Sequence, residues 1–260
     1  MRPRSTGRYG APMDDESLLR YSRQIMLPEV DAAGQQRLLD AHVLIIGAGG
    51  LGSPVAMYLT AGGIGHIAIA DFDTVDLSNL QRQIIHGSED IGRPKVDSAV
   101  DRLRALNPET KLTTFNHALQ DQDLVEAVRW ADVVVDCSDN FSTRFALNEA
   151  CVREGTALVS GAVIRMEGQV TTFLNAGDGP CYRCLYKDEQ ELAETCTQTG
   201  VLAPVPGIVG CIQATEAMKV VLGLETLEGR LLLIDAVPME FRSIRLKKDP
   251  ACPVCGSTPA

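Results

Sequence analysis

Four of the eight cysteines stand in two Cys-x-x-Cys pairs, Cys181 with Cys184 and Cys252 with Cys255. A spacing of two residues lets both thiolates of a pair face one ion, and two such pairs supply the ligands of a tetrahedral zinc site. Because protein would fill all four positions, the zinc would be structural, with one ion per chain. A disulfide or a redox pair is the alternative interpretation, although redox motifs do not usually come in twos.

A glycine-rich turn follows a continuous apolar run, His42–Ile46, and precedes a segment of helical length. Its glycines are Gly47, Gly49, Gly50 and Gly52. Glycines let the backbone turn sharply and approach a phosphate, whose charge the N–H groups at the helix start can meet. Asp71 ends the next apolar run, where an acidic residue can accept hydrogen bonds from ribose hydroxyls. The pattern predicts a nucleotide site without separating NAD from ATP, and a turn that binds nothing is the alternative.

Charged and amide side chains cluster after the same apolar runs. They are Ser78, Asn79, Gln81, Arg82 and Gln83 in one loop, Lys95 in the next helical turn, and Asp139 and Asn140 after a later run. If these runs are parallel strands, their carboxyl ends meet at the sheet edge where ligands bind in open α/β folds. Two cations and a carboxylate suited to Mg²⁺ are what transfer at phosphorus needs, because charge develops there on oxygen. Taken singly, Arg82 and Lys95 also fit solvated surface charges, and Asp139 fits a helix N-cap.

The elements that must position these residues alternate regularly. Apolar runs typical of strands buried on both faces alternate with segments of helical length. Strands are predicted at 42–46, 66–70, 111–115, 132–136 and 157–160, and helices at 14–21, 33–39, 51–61, 94–106, 121–130 and 143–154. This order predicts a Rossmann-like, doubly wound α/β fold with a mostly parallel sheet and right-handed crossovers.

The pattern changes after Gly161, where 169–174 and 230–246 predict antiparallel strands around one helix near 210–222. We expect a single domain over 14–260, with a nucleotide-binding half at about 40–160 and a cysteine-bearing half at about 161–256. Residues 1–13, rich in Arg, Gly and Pro, are predicted to form a disordered leader.

Composition excludes several classes of function. The 260 residues include 24 Lys and Arg against 34 Asp and Glu, for a net charge of −10, which argues against nucleic acid as a partner. No stretch approaches the ~20 unbroken apolar residues of a membrane span, and the first residues lack the apolar segment of a signal peptide. We therefore expect a cytoplasmic protein with no membrane partner, whose cysteines are metal ligands, buried thiols or catalysts.

Five ordered motifs resemble the MoeB/ThiF/HesA family, the bacterial relatives of the ubiquitin-activating enzymes. They occupy 20–25, 47–52, 77–83, 136–140 and 181–184, so the resemblance covers nearly the whole chain. Residues 160–169 lean toward the MoeB branch, which serves molybdopterin synthase, and the ThiF branch of thiamine synthesis remains close. The resemblance implies an adenylyltransferase that uses MgATP to activate the C-terminal Gly-Gly of a small ubiquitin-like sulfur carrier and releases pyrophosphate.

The resemblance also implies how the nucleotide is held. The matching residues are Gly50 against the nucleotide, Asp71 on its ribose, Asn79, Arg82 and Lys95 on its triphosphate, and Asp139 on the Mg²⁺. The attacking group is a carboxylate, already ionised at neutral pH, so no general base is needed. The task of the cations is to neutralise the repulsion between two anions.

Arg23 and Cys196 are further candidates for catalysis. In this family the arginine matching Arg23 reaches into the partner protomer's site, which implies a homodimer; a surface ion pair is the alternative. In the ThiF branch a cysteine in a loop corresponding to that of Cys196 can take the carrier as a covalent adduct. The MoeB branch has no such requirement, and an unemployed exposed thiol is the other interpretation. Cys137, Cys151 and Cys211 are predicted to be small buried side chains.

Longer family members carry a rhodanese domain, and this sequence ends just after the second cysteine pair. We therefore expect the sulfur donor, a rhodanese or a cysteine desulfurase, to be a separate protein, and the second half to bind the carrier. Two rival functions are an NAD-dependent oxidoreductase and a non-catalytic module that docks a ubiquitin-like tail. The first would leave Arg82, Lys95 and Asp139 without a role.

Overall fold

One eight-stranded sheet runs through the structure, a computed structural model that describes residues 13–187 and 200–256. The strands are β1 His42–Ile46, β2 His66–Ala70, β3 Lys111–Phe115, β4 Val133–Asp136, β5 Ala157–Ile164, β6 Glu167–Phe173, β7 Arg230–Asp235 and β8 Glu240–Arg245. Their order is β3-β2-β1-β4-β5-β6-β7-β8, parallel from β3 to β5 and antiparallel from β5 to β8. The mostly parallel sheet with an antiparallel extension is thus confirmed.

Helices cover both faces of the parallel part. They are α1 Asp15–Arg20, α2 Ser22–Ile25, α3 Asp31–Asp40, α4 Gly52–Ala61, α5 Lys95–Leu106, α6 Asp121–Trp130, α7 Phe141–Glu154, α8 Tyr182–Leu185 and α9 Pro204–Leu222. Successive residues of β1 alternate between two cores. Val43 and Ile45 pack with α3, α4, α5 and α9, whereas Leu44 and Ile46 pack with α6 and α7. Burial on both faces explains why these strands are continuous apolar runs.

Helix α9 begins earlier than its predicted start near 210. It opens at Pro204, which is tolerated in a first helical turn because the N–H that it lacks has no partner there. By length and composition this helix could cross a membrane, with a mean hydropathy of 1.3, and half of its most apolar stretch is buried inside the protein. The buried Glu216 accepts a hydrogen bond from Thr172 at 2.8 Å, as expected of a helix inside a protein core.

Strand β5 continues past its predicted end at Ser160 and turns at Arg165 into β6. The sequence suggested a break at Gly161, but this glycine lies inside the strand. The side chain of Gln213, from α9, occupies the space where a Cβ of Gly161 would lie. The resulting β5–β6 hairpin forms one wall of the candidate site.

Candidate functional site

A cleft of about 300 Å³ opens where β1 and β4 end, beside the β5–β6 hairpin. It brings together Gly50, Arg82, Gln83 and Asp139, four residues that the sequence singled out from three separate segments. The hairpin lines the cleft with Ala162, Val163 and Ile164. The cleft therefore joins a polar end at the glycine turn to a more apolar end at the antiparallel strands.

Backbone contacts fix two glycines of the turn. Gly47 has a φ of 96°, and a Cβ there would lie 2.8 Å from the carbonyl oxygen of Cys137. A Cβ on Gly52 would overlap the carbonyl oxygen of Gly47. A Cβ on Gly49, by contrast, would meet the Gln83 amide nitrogen at 3.5 Å, an ordinary contact. The turn therefore needs glycine at its two ends for reasons internal to the fold.

We expect Gly52→Ala to lower the free energy of unfolding by about 2–3 kcal/mol, because its methyl group must displace backbone. Gly49→Ala, in the same turn, should change it by less than about 1 kcal/mol. Urea denaturation followed by circular dichroism measures both variants. Equal losses in the two would contradict this account of the turn.

Side chains hold both polar groups of Ala48 inside the turn. Its N–H donates to Asp71 at 2.7 Å, and its carbonyl accepts from the Nε2 of His86 at 3.0 Å. The Nδ1 of His86 accepts in turn from the Ser98 hydroxyl at 2.8 Å. Asp71 thus already orients the turn, and its second oxygen accepts from the N–H of Asp73 at 2.9 Å. Sequence reasoning missed His86, whose place directly after two isoleucines was the available sign of burial.

His86 makes stability depend on pH. Burial disfavours its cation and nearby Lys95 repels it, so its pKa is lowered from 6.5 despite the hydrogen bond to Ala48. The unfolded chain then binds more protons below about pH 6.5, and stability falls as pH falls through that range. We expect His86→Gln, which does not titrate, to lose less stability than the wild type between about pH 7.5 and 5.5. Urea midpoints across this range measure it, and parallel profiles would contradict the expectation.

Lys95 and Arg82 are held by the protein. The Lys95 side chain is 7% exposed, and its Nζ lies 2.7 Å from the carboxylate of Asp73. Arg82 is half-buried and donates to the carbonyl of Ser78 at 3.0 Å. The alternative of solvated surface charges is therefore wrong for Lys95, and Arg82 is fixed at the cleft.

Two of the other predicted loop residues, Ser78 and Asn79, make hydrogen bonds within their own loop. Ser78 donates to the carboxylate of Asp76 through its hydroxyl at 2.6 Å and its N–H at 2.8 Å, which lowers the pKa of Asp76. Asn79 accepts from the N–H of Asp76 at 3.3 Å and so completes the cap of a short 3₁₀ turn. Gln81 is exposed. The structure does not place these three side chains among those that line the cleft.

Asp139 and Asn140 divide two roles between them. The Asn140 side chain accepts from the N–H of Thr143 at 2.9 Å and caps α7. Asp139 is therefore not the helix cap, and the alternative interpretation for it is wrong. Its exposed carboxylate lines the cleft without a hydrogen-bond partner among residues 13–187 and 200–256. A free carboxylate in the cleft that Arg82 also lines has the chemistry of a magnesium ligand.

The two cysteine pairs form one cluster. Cys181, Cys184, Cys252 and Cys255 place their sulfur atoms within 4.8 Å of one another. Sulfurs of different pairs approach each other, Cys184 and Cys255 at 3.4 Å and Cys181 and Cys252 at 3.7 Å, and a tetrahedral zinc site separates sulfurs by about 3.8 Å. Burial opposes ionisation of Cys252, but backbone N–H groups of Cys255 and Val254 lower its pKa to about 7. The cluster has the donor set and spacing of a metal site.

The remaining cysteines differ from one another. Cys137 and Cys151 are buried as predicted, and burial raises the pKa of both thiols. Cys211 is half-buried, so its prediction as a buried side chain is wrong; α9 presents it to a second cleft of about 360 Å³. Arg23 lines that second cleft and not the cleft of Asp139. Cys196 lies outside the described residues, and its role stays a prediction.

The comparisons with known proteins agree with these motifs. The model of the ThiF family matches residues 21–254. The chain is 48% identical to the SAMP-activating enzyme E1 of Haloferax volcanii, over 94% of this chain and 91% of that protein. It is 46% identical to the sulfur carrier protein ThiS adenylyltransferase and 44% identical to the molybdopterin-synthase adenylyltransferase of Escherichia coli. Each of these two alignments covers 95% of this chain and 99% of the relative.

Solved structures show the same fold. Escherichia coli MccB, crystallised with ATP, superposes with a TM-score of 0.79 at 24% identity, over 96% of this chain and 76% of that one. The family match and the relatives also confirm the resemblance drawn from the five motifs. The chain therefore belongs to the ThiF family and, like its two Escherichia coli relatives, is an adenylyltransferase.

Proposed function

We propose that the chain uses MgATP to activate the C-terminal glycine carboxylate of a small ubiquitin-like sulfur carrier as an acyl-adenylate. A carboxylate oxygen attacks the α-phosphorus, the bond from that phosphorus to the bridging oxygen breaks, and pyrophosphate leaves. The two Escherichia coli relatives are named for ThiS and for molybdopterin synthase, at 46% and 44% identity. These names support a sulfur carrier as the class of substrate.

The observation that carries the proposal is that Arg82, Asp139 and Gly50 line one cleft. Two anions, a carboxylate and a triphosphate, repel each other, so the site must neutralise charge before they can react. Arg82 lies beside the turn where it can meet a phosphoryl oxygen. Lys95 is not among the residues that line this cleft; its ammonium group is held by Asp73, whose own side chain is half-exposed.

Asp139 would hold Mg²⁺ in this scheme. Its carboxylate is exposed in the cleft, and Mg²⁺ prefers a few carboxylate oxygens together with phosphate and water. When bound, the ion supplies positive charge to the phosphate oxygens. Asn140, which caps α7, fixes the backbone that follows Asp139.

The far end of the cleft fits an extended tail without side chains. The β5–β6 hairpin lines it with Ala162, Ile164 and Gly168. Nearby, the Gln169 amide and the Tyr186 hydroxyl bond each other, with a shortest distance of 2.6 Å, so this wall is already ordered. A terminal Gly-Gly could lie along such a wall with its carboxylate toward Arg82.

The test is to incubate the protein with MgATP and either a MoaD-like or a ThiS-like carrier, and then to weigh the carrier. We expect one carrier to gain a single AMP and to support exchange of labelled pyrophosphate into ATP. A carrier without its terminal glycine is the control. ATP turnover that does not depend on any carrier tail would overturn the proposal.

We further propose that the protein acts as a homodimer in which Arg23 serves the partner's site. Arg23 and Asp139 line different clefts of one chain, so a shared role requires a second copy. Large apolar side chains near Arg23 are exposed, including Leu19 at 77% and Met26 at 71%.

Mixing Arg23→Ala chains with Asp139→Ala chains tests the homodimer. Each variant alone should be inactive, and random mixing should restore about a quarter of wild-type activity, because half of the dimers then hold one intact site. Exchange of subunits, measured by mass, is the control that mixed dimers form. Full activity of Arg23→Ala by itself would contradict the assignment.

For the cysteine cluster we propose one structural zinc ion per chain. Four thiolate positions leave no open site for a substrate, and the N–H of Asp249 donates to the Cys184 sulfur at 3.3 Å, as expected around a thiolate ligand. The acidic chain would work in the cytoplasm with a separate sulfur donor.

A further inference from the structure

The backbone before Asp139 is held at every polar group of Ser138. Its N–H and its hydroxyl donate to the carboxylate of Asp136 at 3.0 and 2.6 Å. Its carbonyl accepts from the Nη2 of Arg144 at 2.7 Å. Ser138 therefore sits between a buried carboxylate and a buried guanidinium, and this arrangement sets the direction in which the chain leaves toward Asp139.

Arg144 is an unusual residue for this position. It lies on the first turns of α7, is 7% exposed, and interacts electrostatically with Asp136, which is 1% exposed. A buried guanidinium is costly unless it is paired and hydrogen-bonded. Its Nε is nevertheless buried without a partner among the described residues. Arg144 also lines the cleft of Asp139, and the proposed reaction gives it no contact with the substrate.

The second bond of Arg144 leads to the cysteine cluster. Its Nη1 lies 3.5 Å from the hydroxyl of Tyr182, the residue that follows Cys181. Asn148, one turn further along α7, accepts from the N–H of Tyr182 at 2.8 Å and lies 3.7 Å from the Cys181 sulfur. Helix α7 is therefore tied to the first cysteine pair along the same face that holds Ser138.

We propose that Arg144 is a positioning residue that holds the Asp139 segment through the Ser138 carbonyl and couples it, through Tyr182, to the four-cysteine cluster. A well-ordered metal site would then stabilise, through the Arg144 side chain, the position of the Asp139 carboxylate proposed to bind Mg²⁺. The coupling itself stands on the contacts of Arg144. Its consequence for Mg²⁺ rests on the proposed function.

Hydrogen exchange of the peptide amides at 137–140 tests the coupling directly. Arg144→Lys keeps a positive charge beside Asp136, but a single ammonium group cannot reproduce the fork that reaches both Ser138 and Tyr182. We expect exchange at 137–140 to become roughly tenfold faster, with strand β4 unchanged. Arg153→Lys, an exposed arginine on the same helix, is the matched control and should change nothing.

Tyr182→Phe tests the coupling between the cysteine cluster and residues 137–140. It also keeps the proposal testable if Arg144→Lys does not fold. In the wild type, removing the metal with a chelator should accelerate exchange at 137–140. In Tyr182→Phe, exchange at 137–140 should be faster at the start and should respond less to the chelator. Wild-type exchange that ignores the chelator, or unchanged exchange in a folded Arg144 variant, would overturn the proposal.

The magnesium requirement separates positioning from a merely structural role. In Arg144→Lys we expect the Mg²⁺ concentration for half-maximal pyrophosphate exchange to rise roughly five- to tenfold. The KM for ATP at saturating Mg²⁺ should stay near that of the wild type. An unchanged Mg²⁺ dependence would overturn the positioning role. Absence of pyrophosphate exchange in the wild type would instead refute the proposed function, and the amide data would still decide the coupling.

Discussion

Arg82→Ala should lower carrier-dependent exchange of pyrophosphate into ATP by about 10³-fold while leaving the protein folded. The guanidinium lies in the cleft beside Gly50, fixed there by the Ser78 carbonyl at 3.0 Å. It can neutralise charge only where the phosphates lie, and no other arginine among the described residues combines this position with partial exposure. Without this guanidinium, less positive charge offsets the repulsion between the carrier carboxylate and the triphosphate.

Asp139→Asn should give a loss of similar size for a different reason. The amide keeps the shape of the side chain and removes its charge, so the loss should be relieved in part by raised Mg²⁺. Arg102→Ala, an exposed arginine on α5 outside the cleft, is the control and should retain full exchange. Near-normal pyrophosphate exchange in both Arg82→Ala and Asp139→Asn would contradict the assignment of these residues to the ATP site. Thermal unfolding checks that each variant is folded.

Sequence reasoning succeeded where the signal is local. The run His42–Ile46 predicts a strand buried on both faces, and its bounds in the structure are the same. The spacing of Cys181 and Cys184 predicts a shared ion, and the four sulfurs do converge. The turn at Gly47 needs a positive φ, which its residue type already indicates. In each case the information lies within a few neighbouring residues.

Sequence reasoning failed where a side chain's contact partner is distant in the chain. Nothing near Arg144 indicates that Tyr182 will approach it, and nothing near Lys95 indicates that Asp73 will cover its charge. The sequence singles out Asn79 as a nucleotide ligand, which stays a prediction, and its local role in capping a 3₁₀ turn was not foreseen. The net charge of −10 likewise argues against a nucleic-acid partner but averages over a cleft that holds Arg82. Overall composition therefore says little about a site of a few charges.

Cys252→Ser should abolish metal binding and lower the free energy of unfolding by about 4 kcal/mol or more, a fall in Tm of roughly 10 °C. Cys252 belongs to the segment after β8, and Cys181 belongs to the start of α8, so one ion would tie the segment after β8 to the start of α8. Without it, α8 would keep the bond from Tyr182 to Asn148 and the packing of the buried Tyr182 ring.

Metal analysis and thermal unfolding of the purified protein measure this effect, with Cys211→Ser as the matched control. Cys211 is half-buried and outside the cluster, so that variant should keep one metal ion per chain and lose little stability. A Cys252→Ser protein that retains its metal would contradict the four-thiolate site. A wild-type protein with no metal and with disulfides between the pairs would contradict it as well. Because the same cluster is joined to the Ser138 segment through Tyr182 and Arg144, loss of the metal should also weaken adenylation before the chain unfolds.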